Sequence, residues 1–195
     1  MRVRTSTGIG FQWQGLFVAL HEPLLDDRIV DIVKLAKRYF SYVMFCSNAD
    51  FLTENVASEL DGNIDFIGFT LYMNEPNRNK RAAWIRSLFN TTQLDIANSE
   101  VRMITHFSPL ADIAQLSQKY SNNPCYNPQK RMIVNHRGEM LLCCDDLVGN
   151  FKLGTVFEHS ISELWFSEEH QRYVTTLTNQ GGRKCHSHCM SCPRQ

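Results

Sequence analysis

The chain of 195 residues carries 20 Lys and Arg against 20 Asp and Glu, so its formal net charge at pH 7 is zero. This balance gives no sign of nucleic-acid binding, and a composition that is 43% hydrophobic with 12 Phe excludes intrinsic disorder. No apolar run reaches the length of a membrane span, and the short stretch GLFVAL is not followed by a signal cleavage site, so we expect a cytoplasmic protein with no membrane association.

The first 120 residues alternate between strand and helix patterns. Apolar runs predict strands at 16–20, 42–46, 64–72 and 101–107, and apolar residues at helical spacing predict helices at 26–40, 52–60, 79–90 and 109–120. Thr53 stands where it can cap the second helix. Because the strands are apolar throughout, we expect a parallel sheet covered on both faces. The pattern predicts an α/β layer, either an open sheet or part of a barrel.

The pattern changes after SNNP at 121–124, and the sequence therefore predicts two domains, 1–120 and 121–195. RMIVNHRGEMLLCC predicts a β-hairpin whose NHRG turn uses Gly138 for a positive φ. NFKLGTVFEH reads as a loop or short strand. SISELWFSEEHQRYVTTL predicts one helix that opens with a capping box formed by Ser160 and Glu163.

Cysteines cluster in two parts of this second domain. The chain ends in KCHSHCMSCPRQ, which contains Cys185, Cys189 and Cys192. Upstream, twelve residues separate Cys125 from Gly138 and four more separate Gly138 from Cys143. Since the hairpin folds this segment back on itself, two cysteines of the hairpin and two of the tail predict a site with four thiolate ligands.

Thiolates suit both iron–sulfur clusters and zinc, and the spacing alone leaves that choice open. A disulfide framework is disfavoured because the seven cysteines are odd in number and the expected compartment is reducing. We expect Cys46 to be a buried free cysteine and Cys144 to point away from the site. His186 and His188 are either zinc ligands or polar loop residues, and the second interpretation is favoured.

The cysteine pattern resembles the SPASM domain, the auxiliary iron–sulfur domain of many radical SAM enzymes. LGTVFEHSISELWFSEEHQRY resembles the stretch that links its cysteines. Upstream, LHEPLLDDRIVDIVKLAK resembles the second-strand motif of radical SAM proteins, while FCSNADFLTENVASEL and IDFIGFTLY resemble the segments that follow it. The resemblance runs from about residue 16 to the end of the chain. It implies an α/β fold in which a partial radical SAM (β/α) barrel precedes a small SPASM-like domain of β-hairpin and helix.

The resemblance also implies two cofactors and their binding residues. Glu22 takes the position of the glutamate that holds the amino group of S-adenosylmethionine, and Asn48 and Thr70 take positions that face this cofactor. A 4Fe–4S cluster would be held by Cys125, Cys143 and two or three of the tail cysteines, which are Cys185, Cys189 and Cys192.

Three features depart from the family pattern. His21 and Ala49 stand where the family has glycine, and no cysteine precedes Cys46, so the catalytic CxxxCxxC loop of the family is missing upstream of Glu22. The tail has this same spacing but follows the hairpin, so we expect it to bind the auxiliary cluster. We therefore expect an N-terminally incomplete radical SAM/SPASM protein that does not cleave S-adenosylmethionine by itself.

The function implied by the family is radical modification of a peptide, protein or small-molecule substrate using S-adenosylmethionine. Two alternatives stay open from the sequence. The chain is a non-catalytic iron–sulfur or zinc module that docks a peptide or a partner enzyme, or it is a domain held together by structural zinc. The sequence assigns no oligomeric state.

Overall fold

The computed structural model describes residues 14–17, 22–72, 74–98, 110–146 and 149–194. The chain divides into two compact units, Met1–Arg102 and Met103–Gln195. This division follows the contacts between residues and falls at residue 102, whereas the change of sequence pattern places the predicted boundary near residue 120.

The first unit contains a parallel sheet of four strands. They are β1 Gln14–Phe17, β2 Tyr42–Ser47, β3 Phe66–Leu71 and β4 Gln93–Asn98, and they lie in the order β1-β2-β3-β4. The first three overlap the predicted strands. Strand β4 was not predicted because its sequence, QLDIAN, lacks an apolar run, and the strand predicted at 101–107 lies outside the described residues.

Helices connect these strands, as parallel pairing requires. A short 3-10 helix, Pro23–Leu25, is followed by α1 Ile29–Ala36, α2 Glu54–Leu60 and α3 Glu75–Leu88. The predicted cap of α2 is confirmed, since the Thr53 hydroxyl accepts a hydrogen bond from the Val56 N–H at 3.2 Å. Helix α3 begins four residues before its predicted start because Asn74 caps it and Pro76 fits its first turn.

The helices share one hydrophobic core with one face of the sheet. The core includes Val43, Phe45, Ile67 and Phe69 from the strands and Val33, Ala57 and Ile85 from the helices. Burial alternates along β2 and β3, and Met44, Cys46, Gly68 and Thr70 on the opposite face are half-buried or exposed. The expectation that both faces are covered, and that Cys46 is buried, is therefore wrong for these strands. The apolar residues of these strands lie on two different surfaces, the face that packs against the helices and the more open face.

The second unit joins a small antiparallel sheet to short helices. Its elements are α4 Leu110–Tyr120, α5 Asn127–Lys130, β5 Ile133–Val134, β6 Glu139–Leu141, β7 Lys152–Thr155, α6 Ile161–Trp165, α7 Glu168–Leu177, a 3-10 helix Gly182–Cys185 and α8 Ser187–Met190. The sheet order is β5-β6-β7. The predicted hairpin is confirmed, and Gly138 in its turn has a φ of 73°.

The helix predicted over 160–177 is two helices. The capping box is present, with Ser160 and Glu163 each accepting from the backbone of the other. Phe166 ends the first helix. Ser167 caps the second, because its hydroxyl accepts from the His170 N–H at 3.3 Å. The core of this unit consists of Met140, Leu142, Leu153, Leu164 and Leu177.

Candidate metal centre

Cys125 lies between α4 and α5 and is fixed to the end of α7. Its N–H donates to the carbonyl oxygen of Leu177 at 2.7 Å. The side chain is half-buried and packs against the core that contains Met140 and Leu142. The start of the cysteine-bearing segment is thereby held against the same core as the hairpin.

Cys143 follows directly after the hairpin strand β6. Burial raises the pKa of its thiol to about 12, and the neighbouring thiols of Cys144 and Cys189 act in the same direction. Interaction with the backbone N–H groups of Asp145 and Asp146 opposes this rise in pKa, and the Asp146 N–H also donates to the Cys143 carbonyl oxygen at 3.2 Å. Such N–H donors stabilise a thiolate, so the turn after β6 is suited to a deprotonated Cys143.

Cys189 and Cys192 are contributed by α8 and the residues after it. Burial raises the pKa of Cys189 to about 12, and the proximity of Cys125 and Cys192 raises it further. Burial likewise raises the pKa of Cys192. Interaction with the Arg194 N–H opposes this rise. Cys125 also raises the pKa of Cys192.

These four thiols therefore form one group. Cys189 interacts with Cys125, Cys143 and Cys192, and Cys125 interacts with Cys192. A buried thiol with a pKa near 12 keeps its proton at neutral pH unless a cation takes the place of that proton. Crowding four partly buried cysteines into one site is unfavourable for free thiolates and favourable for metal ligation.

The remaining cysteines differ from this group. Cys185 is exposed at the end of the 3-10 helix Gly182–Cys185, and Cys46 is exposed on β2 of the first unit. Cys144 is half-buried beside Cys143. Of the three predicted tail ligands, the structure thus brings Cys189 and Cys192 to the hairpin cysteines and leaves Cys185 at the surface.

The described residues contain no group of three or more His, Cys, Asp or Glu side chains that could hold a single metal ion. A zinc ion needs all its ligands within about 2.3 Å of one point.

Charged residues that the sequence analysis did not single out surround the thiols. Asp145 and Asp146 are buried, and Asp145 forms an ion pair with Arg194 at 3.2 Å. Arg183 is 1% exposed, and its charge lowers the pKa of both Cys189 and Cys192. The sequence did contain a signal for these residues. Asp145 and Asp146 directly follow Cys143 and Cys144, and Arg183 lies two residues before Cys185, the first of the tail cysteines.

In the first unit, Glu22 and Asn48 lie together near the carboxyl end of β2. The Glu22 carboxylate accepts from the Leu24 N–H at 3.0 Å, the Ser47 hydroxyl at 2.7 Å and the Asn48 N–H at 2.8 Å. The Asn48 side chain accepts from the Asp50 N–H at 2.9 Å. The first two predicted cofactor residues are therefore neighbours, while Ser47 was not predicted.

Thr70 lies one residue before the end of β3, paired in register with Ala97 of β4. It shares the more open face of the sheet with Cys46 and Gly68. A shallow cleft of about 480 Å³ is lined by Glu22 and by Leu25, Asp26, Asp27 and Arg28. All three predicted residues thus stand near carboxyl ends of parallel strands, where α/β proteins bind ligands.

Comparison with known proteins finds a family match within the second unit. Residues 125–193 match the SPASM family, an iron–sulfur cluster-binding domain. No curated protein sequence matches the chain. Within the described residues, every helix is too short or too polar to span a bilayer.

Two solved structures share the fold. BtrN in complex with AdoMet and 2-DOIA has a TM-score of 0.74 at 19% identity, over 94% of this chain and 74% of that chain. SeMet BtrN in an open conformation has a TM-score of 0.71 at 19% identity, over 94% of this chain and 72% of that chain. The predicted resemblance to the SPASM domain is confirmed over residues 125–193, and the chain shares the α/β fold of BtrN.

Proposed function

We propose that this chain is a radical SAM/SPASM-type protein whose second unit binds one 4Fe–4S cluster. Its proposed ligands are Cys125, Cys143, Cys189 and Cys192. The observation that carries the proposal is that these thiols, drawn from separate segments, are grouped and partly buried inside the segment that matches an iron–sulfur domain. Cys185, which the sequence offered as a further ligand, is left out because it is exposed.

An iron–sulfur cluster fits this site better than zinc. A four-iron cluster is larger than one ion, and each thiolate binds a different iron, so its ligands need not meet at a point. Cys189 interacts with Cys125, Cys143 and Cys192, and the family that matches this segment is an iron–sulfur cluster-binding domain. Backbone N–H groups that interact with Cys143 and Cys192 also suit cluster ligands, whose sulfurs commonly accept hydrogen bonds.

The first unit is proposed to be part of a barrel wall that binds S-adenosylmethionine. Its strand order is sequential and its helix core lies on one face, as in a barrel, whereas a doubly wound sheet reverses its order. The more open face, with Cys46, Gly68 and Thr70, would line the interior. BtrN, whose fold is similar, was solved in complex with AdoMet, which supports S-adenosylmethionine as the ligand. The carboxyl ends of parallel strands are the edge at which α/β proteins bind ligands.

Glu22 retains the capacity to bind the cofactor's amino group. An ionised carboxylate offers about four acceptor positions, and three are used by Leu24, Ser47 and Asn48. Two of these bonds fall on Oε1 and one on Oε2, so Oε2 has room for one more donor. The protein bonds fix the carboxylate in place, and an ammonium group would complete its hydrogen bonding.

When bound, the cluster would supply one-electron transfer, while the protein residues hold and shield it. The family chemistry is radical modification of a peptide, protein or small-molecule substrate. The chain has no CxxxCxxC upstream of Glu22, so we expect no cleavage of S-adenosylmethionine by this chain alone. A second candidate function is a non-catalytic cluster module that docks a peptide or a partner enzyme, for which the match of residues 125–193 to an iron–sulfur cluster-binding domain is sufficient.

The test is anaerobic reconstitution with iron and sulfide, followed by metal analysis and visible absorption. A brown protein with about four iron atoms per chain and little zinc supports the proposal. A colourless protein that retains zinc contradicts it. Calorimetric titration with S-adenosylmethionine then separates the two functions: binding that weakens in Glu22→Ala supports the radical SAM-type assignment, and equal, negligible binding in both supports the docking module.

A further inference from the structure

Arg183 is a buried cation between the two chain segments that carry Cys125 and Cys192. It belongs to the 3-10 helix Gly182–Cys185 and is 1% exposed. Its Nη1 donates to the carbonyl oxygen of Arg194 at 2.5 Å, and its Nη2 donates to the carbonyl oxygen of Pro124 at 3.3 Å. A fully buried arginine is rare and requires an explanation.

The two carbonyl groups adjoin proposed cluster ligands. Pro124 immediately precedes Cys125, and Arg194 is the second residue after Cys192. The Arg183 guanidinium therefore joins the segment that carries Cys125 to the tail segment that carries Cys192. Because the guanidinium is planar and its donors are fixed, these two bonds define the separation of the segments.

The third side-chain nitrogen of Arg183, Nε, differs from Nη1 and Nη2 in its hydrogen bonding. It is buried and has no hydrogen-bond partner among the residues that the structure describes. Buried donors are almost always paired, so this nitrogen is available to donate to a group bound beside it. The guanidinium charge acts on both Cys189 and Cys192, which places it beside the proposed cluster.

The charge of Arg183 is also less compensated than that of its neighbours. Arg194 pairs with Asp145, and the Asp146 carboxylate accepts from the N–H groups of Asn150 and Phe151 at 2.7 and 2.9 Å. Among the described residues, Arg183 forms no ion pair with a carboxylate, and its two hydrogen bonds go to neutral carbonyl groups. A buried cation in this setting favours a nearby anion.

We propose that Arg183 is the positioning and charge-compensating residue of the cluster site, and that it makes the bound cluster easier to reduce. This rests on the proposed function. An oxidised 4Fe–4S core of charge +2 with four thiolates carries a net charge of −2, and one electron from an external reductant takes it to −3. A buried positive charge stabilises the more negative state, so it raises the reduction potential.

The test compares four reconstituted full-length proteins by spectroelectrochemical titration and by the rate at which a chelator removes iron. They are the wild type, Arg183→Gln, Arg183→Lys and Lys184→Gln. Lys184→Gln is the matched control, because it removes the same charge from the adjacent, exposed residue. Arg183→Lys keeps the charge but loses the planar donors.

We expect Arg183→Gln to shift the potential to a more negative value and to release iron several-fold faster than the wild type. Arg183→Lys should keep a potential near that of the wild type while releasing iron faster. Lys184→Gln should match the wild type in both measurements. If Arg183→Gln is too unstable to titrate, Arg183→Lys still tests the positioning role through iron release.

An Arg183→Gln protein with unchanged potential and unchanged iron release would overturn the proposal. So would an Arg183→Lys protein that releases iron as slowly as the wild type when Arg183→Gln cannot be titrated. Neither result touches the cluster assignment, since the wild type is loaded in both. A wild type that takes up no cluster would instead contradict the proposed function.

Discussion

The hydroxyl of Ser47 donates to Oε1 of Glu22 at 2.7 Å, which ties the last residue of β2 to the start of the 3-10 helix Pro23–Leu25. The same carboxylate accepts from the Leu24 and Asn48 N–H groups. Ser47 is buried, so its hydroxyl has few other partners within reach. Glu22 therefore has a structural role whether or not a cofactor is present.

We predict that Glu22→Ala lowers the free energy of unfolding by about 1–3 kcal/mol, because buried donors lose a charged acceptor. Glu22→Gln keeps one acceptor oxygen and should lie between the alanine variant and the wild type. Urea unfolding followed by circular dichroism measures the effect, with the exposed Asp50→Ala as control. A Glu22→Ala protein as stable as the wild type would show that these bonds contribute nothing.

The hydrogen bonds of Asp61, which follows α2, predict that acid lowers the stability of the first unit. Burial by itself would raise the pKa of Asp61, but the N–H groups of Asn90, Thr91 and Thr92 and the Thr91 hydroxyl outweigh it and hold this pKa well below its usual value. A carboxylate with a lowered folded-state pKa stabilises the fold above its unfolded pKa, near 4, and this contribution is lost as the pH falls.

The measurement is the urea midpoint at pH 6 and pH 3. The midpoint of the wild type should fall on acidification, while Asp61→Asn should start lower at pH 6 and fall less. Some dependence of stability on pH will remain in Asp61→Asn, because the pKa of Asp65 is also lowered. Burial raises this pKa, but Lys37 and the Val43 N–H outweigh the effect of burial. Equal falls in the two proteins would refute the assignment to Asp61.

Ala49 occupies a left-handed backbone conformation, with a φ of 65°, and is 1% exposed. Its N–H donates to the Ser47 hydroxyl at 2.9 Å and its carbonyl accepts from Arg81 at 2.7 Å, so the conformation is held in place. By the resemblance of this segment to radical SAM proteins, glycine is expected at this position. We predict that Ala49→Gly stabilises the protein by up to about 1 kcal/mol, since glycine adopts this conformation without strain.

Thermal unfolding compares Ala49→Gly with Ala57→Gly. The second change places glycine inside α2 and removes a buried methyl group, so it should destabilise by about 1 kcal/mol or more. Opposite signs for the two alanine-to-glycine changes are expected. Destabilisation by both would mean that the loop does not strain Ala49.

Gly182 permits the tail to approach α7. A Cβ at this position would lie 1.9 Å from the carbonyl oxygen of Thr176, which is part of the helix backbone and cannot turn aside. We predict that Gly182→Ala destabilises the second unit by about 1–3 kcal/mol and lowers its iron content after reconstitution. Gly181→Ala should cost less, about 1 kcal/mol, because its added Cβ meets only the Asn122 side chain at 3.4 Å and the cost arises from its φ of 78°. A Gly182→Ala protein with normal stability and iron content would contradict this.

The sequence predicted the elements that short-range rules determine. Strands β1 to β3, the Thr53 cap, the Ser160 capping box and the hairpin turn at Gly138 follow from apolar runs, side-chain caps and turn residues. Strand β4 was not found because Gln93 and Asp95 interrupt its apolar pattern, and its place is determined by pairing with β3.

The site was harder to predict than the fold, because burial and long-range contacts decide it. Spacing could not distinguish Cys185 from Cys189, since only the short helices of the tail turn one outward and the other inward. Arg183 was not predicted because its importance depends on Pro124, which is distant in sequence. The assignment of ligands stays a prediction.

The most direct test is the iron and sulfide content, after anaerobic reconstitution, of four variants that each replace one cysteine. These are Cys143→Ala, Cys189→Ala, Cys144→Ala and Cys185→Ala, compared with the wild type by metal analysis and by electron paramagnetic resonance of the reduced proteins. We predict that the first two lose most of their iron, while the last two keep about four iron atoms and an unchanged spectrum. Full loading of Cys189→Ala, or loss of the cluster in Cys185→Ala, would contradict a site built from the buried thiols.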